Sequence, residues 1–125
     1  MKYFVLTLFC VAIARAASTY NDRYDKIDLD SILTNQRLLK NYVYCLLEKG
    51  KCRPEGVELK GILPDALQTK CSKCTEAQKT GTRKVIVHLI KNHRDWWNEL
   101  EAKYDPKKIY VMEYKDELKK LGITL

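Results

Sequence analysis

The fold is decided by residues 45–74, CLLEKGKCRPEGVELKGILPDALQTKCSKC, which hold four cysteines in the spacing C-x6-C-x18-C-x2-C. The apolar residues before Cys45 recur every three to four positions, so Cys45 is predicted to lie on an amphipathic helix. Seven residues of unbroken helix rise about 10.5 Å, but the Cα atoms of a disulfide lie about 4.4–6.8 Å apart. Cys45 and Cys52 can therefore bond only if the chain turns back. Lys49-Gly50 is predicted to make that turn, because glycine readily takes the left-handed conformation that ends helices.

The second cysteine pair, Cys71 and Cys74, lies three residues apart, which is roughly one helical turn and within bridging reach. Four cysteines allow three pairings; local geometry favours 45–52 with 71–74, and the sequence alone leaves the others open. A zinc site fits poorly, because zinc sites prefer gaps of two to four residues within each pair. A redox-active C-x-x-C would follow a strand, whereas the sequence on both sides of Cys71 and Cys74 is helical.

Residues 1–16 are predicted to be a secretory signal peptide. Lys2 precedes an apolar run from Tyr3 to Ile13, and residues 14–16 form an A-x-A cleavage site. The run is shorter than the roughly 20 residues that span a bilayer, so no stable membrane insertion is expected. Removal of this leader also removes Cys10 and leaves an even number of cysteines, as expected for an exported protein in an oxidising compartment. The secreted product is predicted to be one domain, residues 17–125.

The charge pattern is typical of a solvated surface. The formal net charge of the full chain is +7, and it falls to +5 when Lys2 and Arg15 leave with the leader. The lysines alternate with acids, and no basic run is longer than two residues. A nucleic-acid partner is not expected, because such proteins cluster their basic residues on one face.

Hydrophobic periodicity and cap residues predict a single all-α domain of about six short helices. Asp28 is expected to cap the first helix. Pro64 is expected to kink or break the third, and Asp105-Pro106 is expected to start the sixth. The sixth helix should present Tyr110, Tyr114, Leu118 and Leu121 on one face. The other boundaries are predicted at Gln36 to Lys49, at Arg53, from near Ser72 to Asn92, and at residues 94–104.

Several short motifs resemble those of the insect chemosensory proteins. They are Tyr24-Asp25, the Cys45-x6-Cys52 pair, Cys71-x2-Cys74-Thr75, and Lys103-Tyr104-Asp105-Pro106. The likeness runs from about Tyr24 to about Gly122. It implies a small secreted helical protein with two local disulfides and an internal hydrophobic channel. It also implies ligands such as fatty acids, long-chain alcohols, esters and other semiochemicals, carried by a monomer without a cofactor.

The same resemblance implies which residues line the channel. They are Tyr24 in the N-terminal arm, Tyr44 on the second helix, and Tyr110 and Tyr114 on the last. The chain departs from the family at Tyr110, where some relatives have Trp. Composition agrees with a tyrosine-lined pocket: the chain has eight Tyr, and its two Phe both lie in the leader. A tyrosine ring is apolar with a polar tip, which suits amphipathic guests.

Other functions find little support in the sequence. His88 and His93 are five residues apart, unlike the i, i+4 pair of a helical metal site, so no metal site is expected. The chain has no G-x-S-x-G motif and no Gly-rich phosphate loop, so no enzyme is expected. Trp96 and Trp97 point about 100° apart on a helix, so at most one can face fully inward. The alternative function is a secreted structural or signalling protein with a filled core.

Overall fold

In the computed structural model, the described residues are 19–124, so the predicted signal peptide at 1–16 lies outside them. This part of the chain is helical and contains no strand. The prediction of an all-α domain is confirmed. Within residues 19–124, seven helices follow one another: α1 Leu29–Thr34, α2 Gln36–Leu46, α3 Pro54–Gln68, α4 Glu76–Asn92, α5 Arg94–Tyr104, α6 Ile109–Glu113 and α7 Lys115–Lys120.

Both predicted disulfides are confirmed. Cys45 bonds Cys52 with their Cα atoms 4.9 Å apart, and Cys71 bonds Cys74 with a Cα separation of 5.0 Å. The first joins the end of α2 to the loop before α3, and the second closes the turn between α3 and α4. Each bridge therefore fixes the angle at which one helix follows another.

The chain turns after α2 just before the predicted Lys49-Gly50, but the left-handed residue is Glu48 and not the glycine. Glu48 has a left-handed φ of 63°, and its N–H donates to the Cys45 carbonyl at 3.1 Å. The next N–H, that of Lys49, donates to the Tyr44 carbonyl at 2.8 Å. These two bonds form a Schellman motif, here with glutamate in the place that glycine usually takes.

The helices on either side of the second disulfide also differ from expectation. α3 runs through Pro64 without a break. α4 starts at Glu76 rather than near Ser72, because Thr75 and Gln78 form a capping box. The Thr75 hydroxyl accepts from the Gln78 N–H at 3.1 Å, and the Gln78 side chain accepts from the Thr75 N–H at 3.0 Å.

The predicted sixth helix is two short ones. Asp105 caps the first of them from a distance: its carboxylate accepts from the N–H groups of Ile109 at 2.8 Å and Tyr110 at 3.1 Å. Residues 106–108 form the intervening turn, so the start predicted at Pro106 is wrong. The chain bends again at Tyr114, between α6 and α7. Leu121 is 47% exposed, so it does not share the inward face predicted for it.

The core joins all of these elements. α1 packs on α2 and α4, α4 packs on α5, and α3 packs on α2, α5 and α6. Trp97 is buried and Trp96 is half-buried, as expected for adjacent helix residues that point about 100° apart. The core includes buried Leu, Ile, Val and aromatic residues, among them Leu39, Val43, Leu67, Ile86, Leu89, Ile90, Trp97, Leu100, Tyr110 and Val111.

Candidate functional site

A cavity of about 280 Å³ lies among the N-terminal arm (residues 19–28) and helices α1 to α5. Its wall is mostly apolar. The main apolar residues are Leu29, Ile32, Leu33, Leu39, Val43, Leu46, Leu59, Ile62, Leu63, Ala66, Leu67, Val85, Ile86, Leu89, Trp97 and Leu100. Leu59 is 38% exposed, so the cavity reaches the surface beside α3.

The cavity lies between helices that approach closely on one side. A Cβ atom added to Gly81 on α4 would come within 2.9 Å of the Leu29 Cδ1 atom on α1. Gly81 and Leu29 both line the cavity. The missing side chain at Gly81 therefore lets α1 rest against α4, and this contact sets one edge of the cavity.

The N-terminal arm is tied across the start of α4. Its Tyr20 N–H donates to the Lys73 carbonyl at 2.9 Å. The Gln78 side chain donates to the Asn21 carbonyl at 2.9 Å, and the Thr75 hydroxyl donates to Asp25 at 2.7 Å. Since Lys73 lies inside the Cys71–Cys74 loop, the second disulfide helps to hold the arm against the cavity.

Three of the four tyrosine hydroxyls in the cavity wall are bonded to acceptors. Tyr20 donates to Asp65, Tyr42 donates to Glu55, and Tyr104 donates to the Leu46 carbonyl. Burial, reinforced by the neighbouring carboxylate, raises the pKa of Tyr20 and of Tyr42 to about 12. The rings of these tyrosines face the cavity while their hydrogens are already committed.

Of the four tyrosines that the resemblance assigns to the channel, Tyr24 lines the cavity. Tyr44 lies on α2 but is not in the cavity wall. It makes an edge contact with Trp96, with ring centroids 6.5 Å apart, and the Lys40 ammonium lies 5.1 Å from its ring. The His93 ring stacks on the Trp96 ring, with their centroids 4.1 Å apart. Tyr44 therefore belongs to a surface aromatic cluster.

Tyr110 and Tyr114 come together, but away from the cavity wall. Their ring centroids lie 4.8 Å apart, and the Arg83 guanidinium lies 5.0 Å from the Tyr114 ring. Tyr110 is 2% exposed, and burial raises the pKa of its phenol. Ligand contact by all four tyrosines, Tyr24, Tyr44, Tyr110 and Tyr114, stays a prediction.

Within residues 19–124, no three His, Cys, Asp or Glu side chains are grouped so that they could hold a metal ion. No helix in the same range is both long and apolar enough to cross a membrane. The arrangement offers enclosed apolar surface rather than reactive groups.

Residues 20–112 match the model of the insect pheromone-binding family, A10/OS-D. The chain is 53% identical over 120 residues to Allergen Tha p 1 of Thaumetopoea pityocampa, covering 94% of this chain and 95% of that protein. The chain belongs to the A10/OS-D family. This is a family of binding proteins and not of enzymes, in agreement with the sequence-based expectation.

Solved structures of A10/OS-D relatives share the fold. One is a chemosensory protein in complex with bromo-dodecanol, with a TM-score of 0.75 and 54% identity over 79% of this chain and 99% of that one. Another is antennal chemosensory protein A6 from the moth Mamestra brassicae, with a TM-score of 0.70 and 52% identity over 79% of this chain and 97% of that one. The resemblance seen in the cysteine spacing is therefore confirmed.

Sequence reasoning missed Tyr42 as a cavity residue. The signal was present, because Leu39, Tyr42, Val43 and Leu46 follow the i, i+3, i+4, i+7 pattern of one helix face. All four line the cavity. The carboxylates in the wall carried no such signal, since a carboxylate at a cavity and one on an open surface look alike in sequence.

Proposed function

We propose that this protein is a secreted carrier of small hydrophobic molecules that have a long aliphatic chain, such as fatty acids, long-chain alcohols and esters. The observation that carries the proposal is the apolar cavity of about 280 Å³. It is nearly twice the roughly 150 Å³ of an engineered apolar cavity that binds benzene. The complex of a 54% identical protein with bromo-dodecanol supports it.

The driving force would be burial of the aliphatic chain. Each CH₂ group moved out of water contributes about 0.8 kcal/mol, so a twelve-carbon chain contributes about 9–10 kcal/mol before costs. Loss of ligand freedom opposes this by several kcal/mol. The remainder corresponds to a dissociation constant of about 1–10 μM, which suits a carrier that must also release its load.

Secretion and a monomeric state form part of the proposal. Both disulfides would persist in an oxidising compartment. Four large apolar residues of the described chain are more than a third exposed: Val57, Leu59, Met112 and Leu121. They come from three separate places in the chain, and scattered exposed residues are usual on monomers.

Titration with the fluorescent apolar probe N-phenyl-1-naphthylamine tests this function. We expect saturable binding of one probe per chain and displacement by 1-dodecanol. If the probe fails to saturate below about 100 μM, the filled-core alternative, a secreted structural or signalling protein, is favoured. Native mass spectrometry of protein purified from its own source should show a bound ligand and a mass lower by the four hydrogens of two disulfides.

A further inference from the structure

The charged residues of the cavity wall all have the same sign. Among the described residues, the wall contains the carboxylates Asp25, Glu55 and Glu58 and no Lys, Arg or His. This is unexpected for a chain with 23 Lys and Arg against 16 Asp and Glu. The distribution of charge in the wall therefore differs from that of the whole chain.

Of the two wall carboxylates that face an arginine, Glu55 is the less exposed. Its side chain is 17% exposed, and its Oε1 accepts from the Tyr42 hydroxyl and from Arg53 Nε, the latter at 3.0 Å. The bond from Tyr42 lowers the pKa of Glu55, so this carboxylate is ionised at neutral pH. Arg53 is 63% exposed and is not part of the wall. No other residue among 19–124 donates a hydrogen bond to the second oxygen, Oε2.

The other two carboxylates also retain accepting capacity. Arg23 Nε lies 3.9 Å from Glu58 Oε1, which is beyond hydrogen-bond distance, and its side chain is 60% exposed. Asp25 Oδ2 accepts from Thr75 at 2.7 Å, while its Oδ1 accepts from no group in the described range. Each carboxylate thus has an oxygen that could accept a hydrogen bond from a guest.

The phenol groups do not compensate for this charge. Three of the four wall tyrosines, Tyr20, Tyr42 and Tyr104, give their hydrogens to Asp65, Glu55 and a backbone carbonyl. The fourth, Tyr24, offers a neutral hydroxyl and no positive charge. A carboxylate head group would lose its hydration on entry, meet like charges, and find no cation in the wall, and burying an unpaired charge is strongly unfavourable. A hydroxyl head group can instead donate to one of the carboxylate oxygens.

From this arrangement we propose that the cavity selects guests whose polar end donates a hydrogen bond and carries no negative charge. A long-chain primary alcohol is preferred to the carboxylate of the same length. This selectivity rests on the proposed carrier function and narrows it: fatty acids become the weaker ligands when they are ionised. Asp25, Glu55 and Glu58 are its specificity-determining residues.

Displacement of N-phenyl-1-naphthylamine at neutral pH, with monomeric twelve-carbon ligands, tests the selectivity. We expect 1-dodecanol to bind about tenfold more tightly than dodecanoate, which is about 1.4 kcal/mol. Dodecyl methyl ether, which accepts but cannot donate, should fall between them. Glu55→Gln should reduce the alcohol-to-acid ratio by about threefold, mainly by strengthening dodecanoate. Glu99→Gln changes net charge equally on a surface residue paired with Lys49, and should leave the ratio unchanged.

The outcomes separate the two proposals. If the probe binds but dodecanoate displaces it as well as 1-dodecanol does, the selectivity is wrong and the carrier function stands. If the probe does not bind, the carrier function itself fails. Should Glu55→Gln not fold, Glu58→Gln provides the same measurement, because Glu58 has only the distant Arg23 as a partner. An unchanged ratio in Glu58→Gln would then overturn the role of the carboxylates.

Discussion

Two tyrosine-rich regions of this molecule behave differently. In the cavity wall, the hydroxyls of Tyr20 and Tyr42 are held by carboxylates on α3. In the C-terminal stack, defined as Tyr110, Tyr114 and Arg83, the rings pack on each other and on the guanidinium. Tyrosine content therefore does not by itself indicate a pocket. The cavity lies where the phenol hydroxyls are bonded to carboxylates, whereas in the C-terminal stack the rings pack against each other.

Helix α4 separates the two regions. Thr82, Val85 and Ile86 line the cavity, while Arg83 turns to the C-terminal stack and forms an ion pair with Glu117 at 3.2 Å. Adjacent residues on a helix point about 100° apart, so one helix can supply an apolar wall and a cationic contact at once. The same element therefore serves both regions.

The largest expected effect is on the packed side of this comparison. Tyr110→Ala removes a 2% exposed ring and should lower the free energy of unfolding by about 3–5 kcal/mol. Tyr24→Ala in the cavity wall should cost less than about 1 kcal/mol, because Tyr24 is half-buried and borders a void. Urea denaturation measures both. Equal losses would mean that the two regions are packed alike.

Added volume should also destabilise the packed region more than the cavity wall. Val111→Phe enlarges a 1% exposed side chain on α6 and should destabilise the protein by about 1–3 kcal/mol. Ala66→Phe adds a whole ring to the cavity wall, yet it should leave stability unchanged because the ring can occupy the void. Probe affinity should fall about tenfold in Ala66→Phe. Retained affinity in that variant would place the binding site elsewhere.

A smaller difference is expected from removing single hydroxyls. Tyr42→Phe loses the bond to Glu55 and should cost about 0.5–1.5 kcal/mol. Tyr114→Phe keeps the ring beside Arg83, and since the Tyr114 hydroxyl makes no hydrogen bond within residues 19–124, the change should stay within about 0.5 kcal/mol. Thermal unfolding of both variants checks this, and a larger loss in Tyr114→Phe would contradict it.

The smallest expected effect concerns stability against pH: the contributions of Asp105 and Glu55 should change in opposite directions. Burial raises the pKa of Asp105, which supports α6, so its stabilising contribution is present at low pH and lost as pH rises through its folded pKa. The pKa of Glu55 is lowered, so its stabilising contribution is present above the ordinary value of 4.5 and lost as pH falls.

Urea denaturation from about pH 6 to about pH 4 should therefore separate two variants. The stability of the unmodified protein relative to Asp105→Asn should increase over this fall in pH. Its stability relative to Glu55→Gln should decrease. Changes of the same sign in both comparisons would show that the two carboxylates do not differ as described.

The disulfides could be predicted from the sequence, because disulfide geometry and helix rise leave few possible chain paths between cysteines at most seven residues apart. Sequence reasoning also predicted the cap at Asp28, which accepts from the Ser31 N–H at 3.2 Å. It misplaced the start of α6, because the left-handed turn at Lys108, with φ 57°, has no glycine to announce it.

The site was harder to predict than the fold. Tyr42 and Tyr44 differ by about 200° around a helix, so they cannot both face one cavity. Periodicity selects Tyr42, whereas the resemblance selected Tyr44. Partners distant in sequence, such as Asp65 for Tyr20, decide where a phenol points, and no local pattern encodes them.

Because of the close contact at Gly81, a very small substitution there could change which ligands fit the cavity. Alanine there would favour the helix by about 1 kcal/mol, while its methyl group would push the flexible Leu29 end aside. Both positions border the cavity. During divergence, a substitution that adds one carbon atom could thus change the size of ligand that fits, without loss of folding stability.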